Sequence, residues 1–262
     1  MDLPRLWTRL IGHQNTICNM KLAITFWGTQ KYLEFLPQWY GRLEKYFVPN
    51  VEKHYFVFTD GKLEGTPDNV TKMEIPHYGF PDTYNKTFEE MLKLEDKVSD
   101  YDWLVSVDAD LYAQEDIQYE DFFDDSKKYM GVHHPCHFVG FPPHNQHPGA
   151  YDTNPLSNAC IDDSIMDMSI YYQGCLWGGK IPYIFDMMRQ IDVWTKEDVS
   201  KDIQGRYYEE SYMNKWFLTH RNETHTLAPD YSYPEMFAKY CEFPNKMMHL
   251  AKDNKELDND QW

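Results

Sequence analysis

"YDWLVSVDADL", residues 101–111, is the stretch whose reading decides the fold. Leu104, Val105 and Val107 form a short apolar run bounded by polar residues, the pattern of a buried strand. Asp108 and Asp110 follow, with only Ala109 between them. Strand side chains alternate faces, so the two carboxylates are expected to point the same way, their Cα atoms roughly 6.5–7 Å apart. Like charges held so close repel and lose hydration unless something positive joins them.

Working outward, "MKLAITFW" (20–27) reads as a first buried strand and "EKHYFVFTD" (52–60) as a second. Between them "YLEFLPQWYGRLEKYF" (32–47) has helical periodicity, with Pro37 expected at a kink or break. "KTFEEMLKLEDKV" (86–98) has helical spacing as well. Strands alternating with helices predict an α/β fold, a mostly parallel central sheet flanked by helices. Ligands bind such sheets at the carboxyl ends of strands, where Asp108 and Asp110 fall. Farther on, "YYQGCLWGGKIPYIFDMMRQI" (171–191) is a glycine-punctuated segment leading into a helix, and "EESYMNKWFLTH" (209–220) is another helix. Residues 133–167, with little periodicity, read as a long functional loop. No linker is rich enough to separate two domains, so one domain is expected, with a first half at about 20–130, a second at about 131–245 and a mobile tail at about 246–262.

Composition bounds the function. A formal charge of −17 over 262 residues excludes a phosphate-backbone binder, so no nucleic-acid partner is expected. Aromatic residues at 16% favour sites that stack flat polar ligands. The cysteines at 18, 136, 160, 175 and 241 include no CxxC pair, which fits a reducing compartment. With no apolar run long enough to span a bilayer and no signal-peptide core at the start, a cytoplasmic location is expected.

Three readings of Asp108-Ala109-Asp110 stand side by side: acids ending a strand at the surface, a divalent-metal site, and an aspartate-nucleophile phosphatase. Hard carboxylate oxygens suit Mg²⁺ or Mn²⁺, which share their coordination sphere with a ligand diphosphate. Leu111, Tyr112 and Ala113 supply none of the oxygens of a calcium loop. "HHPCHFVGFPPHNQH" (133–147) offers zinc-ligand types at His133, His134, Cys136 and His137, but its spacing fits a sugar-binding loop better than a structural zinc motif. A non-catalytic sugar-binding module is the remaining alternative.

In order along the chain, "TFWGTQKY", "HYFVFTD", "YDWLVSVDADL", "HHPCHF", "YYQGCLWGG", "EESYMNKW" and "LAPDY" resemble glycosyltransferase family six, the retaining blood-group A and B transferases and α-1,3-galactosyltransferases. The resemblance spans roughly Ile24 to Leu257. It implies a GT-A type, Rossmann-like nucleotide-sugar fold and transfer of galactose or an N-acetylhexosamine from a UDP-sugar to a glycan acceptor in α-1,3 linkage. By that resemblance Trp27, Gly28, Thr29 and Tyr32 line the uracil and ribose pocket, and Asp108 and Asp110 hold Mn²⁺ or Mg²⁺, with Ala109 near the ribose. Gln173 and Cys175 stand at the positions that help select the donor sugar, and Lys255 is the tail lysine on the diphosphate. His134 contacts the acceptor, with Trp177 nearby, and Glu210 is the carboxylate on the reacting face. The chain departs from the family in two further places. Tyr208-Glu209 replaces His-Asp, which leaves Glu209 as the donor-hydroxyl contact. The donor-binding arginine falls near Thr87, where neighbouring Lys86 is the substitute. No anchor or stem is expected, which resembles short bacterial or viral members, many of which carry NxN where this chain keeps both acids.

Overall fold

The alternation of β1 (Lys21–Trp27) sets up two cores. Leu22, Ile24 and Phe26 face one side, where Trp39 and Leu43 of α1 (Leu36–Tyr46) cover them. Ala23 faces the other, with Phe56 and Phe58 of β2 (Glu52–Thr59). The structure, a computed structural model, describes residues 20–135, 151–236 and 245–252. Pro37 lies in the first turn of α1, where its missing N–H leaves no bond unmade, and a 3₁₀ segment (Gln30–Phe35) precedes it. The expected helix is thus two segments, and the break expected at Pro37 falls just ahead of it. The C-terminal carbonyls of α1 are met by the buried ammonium of Lys53, which donates to Phe47 O at 2.9 Å.

After β2 come β3 (Val70–Glu74), α2 (Asp82–Asn85), α3 (Thr87–Met91) and β4 (Trp103–Val107). The periodic stretch 86–98 is α-helical only to Met91 and continues as a 3₁₀ turn over Leu92–Lys97. Then follow β5 (Leu111–Ala113), α4 (Tyr119–Phe122), β6 (Tyr129–His133), β7 (Tyr172–Lys180), α5 (Tyr183–Val199) and α6 (Tyr208–Thr219). The chain closes with β8 (Thr224–Leu227), β9 (Tyr233–Pro234) and β10 (Met247–His249).

The main sheet has seven strands in the order β3-β2-β1-β4-β7-β6-β8. Every pairing is parallel except those of β7, which runs antiparallel to both β4 and β6. The α/β, mostly parallel expectation therefore holds, and the glycine-punctuated segment proves to be the reversed strand. Gly178 is what lets β7 lie there: a Cβ on it would come within 2.5 Å of Leu104 O on β4. Met187, Met188 and Ile191 of α5 and Met213 and Phe217 of α6 complete the second core. A small sheet, ordered β5-β10-β9, sits beside the end of β4 and draws the segment at 247–249 against the residues following Asp110. No helix among the described residues is long and apolar enough to cross a membrane.

Candidate active site

The carboxyl ends of β1, β2 and β4 open on one cleft of about 300 Å³, in the size range of small-molecule sites. Trp27, Gly28, Thr29 and Tyr32 line one end, and Trp27 stacks on Phe58 with ring centroids 5.4 Å apart. The Thr29 hydroxyl is hydrogen-bonded to His77 Nδ1 at 2.8 Å, so the segment after β3 closes that end. Asp108, Ala109 and Asp110 form the floor. Gly174, Trp177, Glu209 and Lys252 line the opposite side.

The two aspartates do not share one strand face. β4 ends at Val107, and the chain turns at once, with Leu111 N–H donating to Asp108 O at 3.0 Å. Trp39 Nε1–H donates to the same carbonyl at 3.1 Å, and Asp108 N–H donates to Cys175 O at 2.9 Å. This turn exposes Asp108 to the cleft and tucks Asp110 beneath it, 4% exposed. The Asp108 carboxylate accepts no hydrogen bond among the described residues. Enclosure by protein, then the charge of Asp110, pushes its pKa up to about 6. Burial works on Asp110 in the same direction, but His249 and Lys252 outweigh it and hold that carboxyl below the usual range. Lys252 Nζ lies 2.7 Å from Asp110 Oδ2, and His249 Nδ1 lies 3.5 Å from Oδ1.

Glu210 stands in the first turn of α6, with Oε1 accepting from the Tyr171 hydroxyl at 2.6 Å and Oε2 from Gly174 N–H at 2.7 Å. The second contact is a close approach: a Cβ at 174 would lie 3.3 Å from Oε2. Burial pushes the Glu210 pKa up to about 7, opposed by the Tyr171 and Gly174 hydrogen bonds. Burial likewise raises Glu209 well above the ordinary range, and its buried Oε2 has no hydrogen-bond partner among the described residues. Asn214, fully buried, locks α6 to β7 by exchanging both hydrogen bonds with the Tyr172 backbone at 2.8 Å and donating to Glu210 O at 2.9 Å. His134 is tied to the same corner, its N–H donating to Tyr171 O at 2.7 Å and its ring edge-on to Tyr171.

Not every expected residue reaches the cleft. Lys86 pairs with Glu89 at 3.1 Å and does not line it, whereas Thr87 does. Cys175 is buried in the first core, and the side-chain oxygen of Gln173, on β7, is buried without a hydrogen-bond partner among the described residues. Trp177 lines the cleft but also packs on Phe88, as a core residue would. Lys255, Cys136 and His137 lie outside the described residues. Cys160 and Cys175 carry free thiols. Tyr171, Asn214, His249 and Lys252 were missed by the sequence reading. The first three carry no local signal, and Lys252 sits in a tail where Lys255 competes for the same role.

Known proteins share this chain's pattern. The profile described as glycosyltransferase family 6 matches residues 85–259. The O-antigen biosynthesis glycosyltransferase WbnI of Escherichia coli is 26% identical over 242 residues, covering 92% of this chain and 97% of the relative. The human globoside alpha-1,3-N-acetylgalactosaminyltransferase 1 is 23% identical, the match covering 86% of this chain and 65% of the human protein. The rat histo-blood group ABO system transferase 2 is 22% identical, with 92% and 72% covered.

Proposed function

The chain belongs to glycosyltransferase family 6, and from that premise we propose that it is a metal-dependent, retaining transferase. It moves galactose or an N-acetylhexosamine from a UDP-sugar to a glycan acceptor in α-1,3 linkage. Membership makes it a transferase of the GT-A type and removes the phosphatase alternative. The observation that carries the metal reading is the asymmetry of the acidic pair. Asp110 is already neutralised by Lys252, while Asp108 faces the cleft with no partner among the described residues.

That donor set fits a hard divalent cation. Among the described residues no three His, Cys, Asp or Glu side chains group to hold a metal by themselves. Mg²⁺ and Mn²⁺ typically bind through one or two carboxylates and take their remaining oxygens from substrate phosphates and water. Asp108 and Asp110 would hold the ion, and when bound it would stabilise the charge on the departing diphosphate.

The protein's own groups do the rest. The Trp27–Phe58 stack gives the uracil a flat apolar wall, with Thr29 and Tyr32 beside the nucleoside. Lys252, whose ammonium lies 5.0 Å from the Tyr32 ring centroid, places a positive charge between the nucleoside end and the acidic floor. Tyr171 and Gly174 fix both oxygens of Glu210, so its carboxylate meets the sugar in one orientation. Glu210 then serves as nucleophile in a double displacement, or stabilises a cationic sugar attacked from the same face. Glu209, which lines the cleft and whose buried Oε2 has no hydrogen-bond partner among the described residues, is suited to bond a donor hydroxyl. His134, next to Tyr171, faces the acceptor.

Calorimetric titration with UDP, with and without Mn²⁺, followed by product analysis with UDP-galactose, UDP-N-acetylgalactosamine and an oligosaccharide, tests this. UDP should bind with Mn²⁺ present and far more weakly in chelator, and the product should be α-linked. Equal UDP binding or full transfer in EDTA would overturn the metal assignment.

A further inference from the structure

Tyr208 does not line the cleft, yet it immediately precedes Glu209 and Glu210. Its backbone lies in the left-handed region, φ 50°, uncommon for a bulky side chain and sustained only when the surroundings over-determine it. Those surroundings come from across the cleft. The Tyr208 ring stacks on Tyr84 of α2, centroids 5.2 Å apart and planes 15° from parallel. Phe80 meets the same ring edge-on at 5.0 Å. Beside the rings, Asn85 and Gln204 exchange amide hydrogen bonds of 3.3 and 2.9 Å. Phe80 and Tyr84 both line the cleft. Contacts far apart in sequence therefore join the wall of the donor pocket to the residues that begin α6.

We propose that the Tyr84–Tyr208 stack, braced by Phe80 and the Asn85–Gln204 pair, is a clasp that sets the start of α6, and that Tyr208 is a positioning residue for Glu210. The observations fit together in that role. The peptide after Tyr208 leads straight into Glu209, and Glu210 N–H donates to Tyr207 O at 3.1 Å, so a rotation of the Tyr208 backbone moves both carboxylates. Asn214 holds the helix from β7 through Glu210 O, and Ser211 Oγ accepts from Tyr207 N–H at 2.7 Å, so the clasp adds the restraint that comes from the cleft wall. Glu210 must keep Tyr171 and Gly174 as partners at once, and a displacement of about 1 Å at a reacting group costs on the order of 100-fold in rate.

The proposal rests on Glu210 being the reacting carboxylate, and its test separates the two ideas. Tyr208→Gly suits the left-handed backbone and deletes the ring, whereas Tyr208→Phe keeps the stack. Transfer by Tyr208→Gly should lose roughly 10- to 100-fold in kcat with the donor KM changed less than about threefold, and Tyr208→Phe should stay within about threefold of wild type. Wild-type kcat in Tyr208→Gly, an equal loss in Tyr208→Phe, or a rise in donor KM at constant kcat would each overturn the positioning role. Hydrogen exchange, read in the absence of substrate, tests the clasp without any activity: Tyr84→Ala should speed exchange at the first-turn amides of α6. Unchanged exchange there would overturn the clasp. A wild type that transfers no sugar would overturn the Glu210 reading while leaving the exchange result to decide the clasp.

Discussion

Glu210→Gln should abolish transfer and, at the same time, stabilise the protein at alkaline pH. Glutamine has the shape of the carboxylate, and both present hydrogen bonds survive: its oxygen accepts from Gly174 N–H and its amide donates to the Tyr171 hydroxyl, which can turn to accept. What is lost is the charge. Burial raises the Glu210 pKa from 4.5 to about 7, so keeping the residue ionised costs the folded state at most about 3 kcal/mol. The sign follows from linkage. A carboxyl raised on folding binds its proton more tightly in the native state, so the native state is favoured most at low pH. That advantage fades as pH climbs from about 4.5 and is gone above about 7. Compared with wild type, the glutamine variant should therefore gain a few tenths of a kcal/mol near pH 4.5 and about 3 kcal/mol near pH 8, a Tm rise of up to roughly 10 °C. Urea denaturation at the two pH values, in chelator, reads the stability, and turnover of UDP-sugar reads a loss of roughly 1,000-fold or more. A variant that keeps transfer within tenfold of wild type would refute Glu210 as the reacting group. A gain equal at both pH values, or a loss at pH 8, would refute the burial argument.

Two further outcomes follow from the same site. Lys252→Ala leaves Asp110 a buried carboxylate without its nearest partner and should lower stability by about 2–4 kcal/mol in chelator, with added Mn²⁺ restoring part of it; urea curves with and without the ion check both halves. Gly174→Ala puts a methyl 3.3 Å from Glu210 Oε2 and should cut kcat about tenfold while the circular dichroism spectrum is unchanged, and wild-type kcat would show that the close approach is dispensable.

Much of the fold was legible because it is written in local apolar runs. Leu22–Phe26, Tyr55–Phe58 and Leu104–Val107 each read as a strand and each is one. The reversed direction of β7 was not legible, since an apolar run bounded by glycines looks the same in either direction. The small sheet was missed because β5, β9 and β10 have only two or three residues each, too few for a period of two to show. The site divides the same way. Asp108, Asp110, Trp27, Thr29 and Glu210 stand in short motifs, and the structure brings them, or the residues holding them, around one cleft. Tyr171 and Asn214 act through contacts spanning 39 and 42 residues, which no local pattern announces. The face-sharing of the two aspartates failed for a nearer reason: the strand ends at Val107, before either aspartate, and a turn takes over.

That early turn changes what the acidic pair can do. Were both carboxylates on one strand face, each would be equally open, and each would raise the pKa of the other. The turn instead presses Asp110 against β10, where His249 and Lys252 absorb its charge, and leaves Asp108 alone in the cleft. Glu209 lines the same cleft with its pKa raised by burial, and Glu210, held by Tyr171 and Gly174, has its pKa raised to about 7. Lys252 is the lysine that lines this cleft among the described residues, and Asp110 already holds it. A diphosphate arriving there would meet Asp108 with no positive charge left over unless it brought a divalent cation or drew Lys252 away. Metal dependence and the contact of Lys252 with Asp110 are therefore linked expectations: Lys252→Ala should tighten Mn²⁺ binding to the free protein while weakening UDP binding in the presence of the ion. Mn²⁺ affinity that falls with the loss of Lys252 would show the lysine to be a support for the metal site and not its competitor.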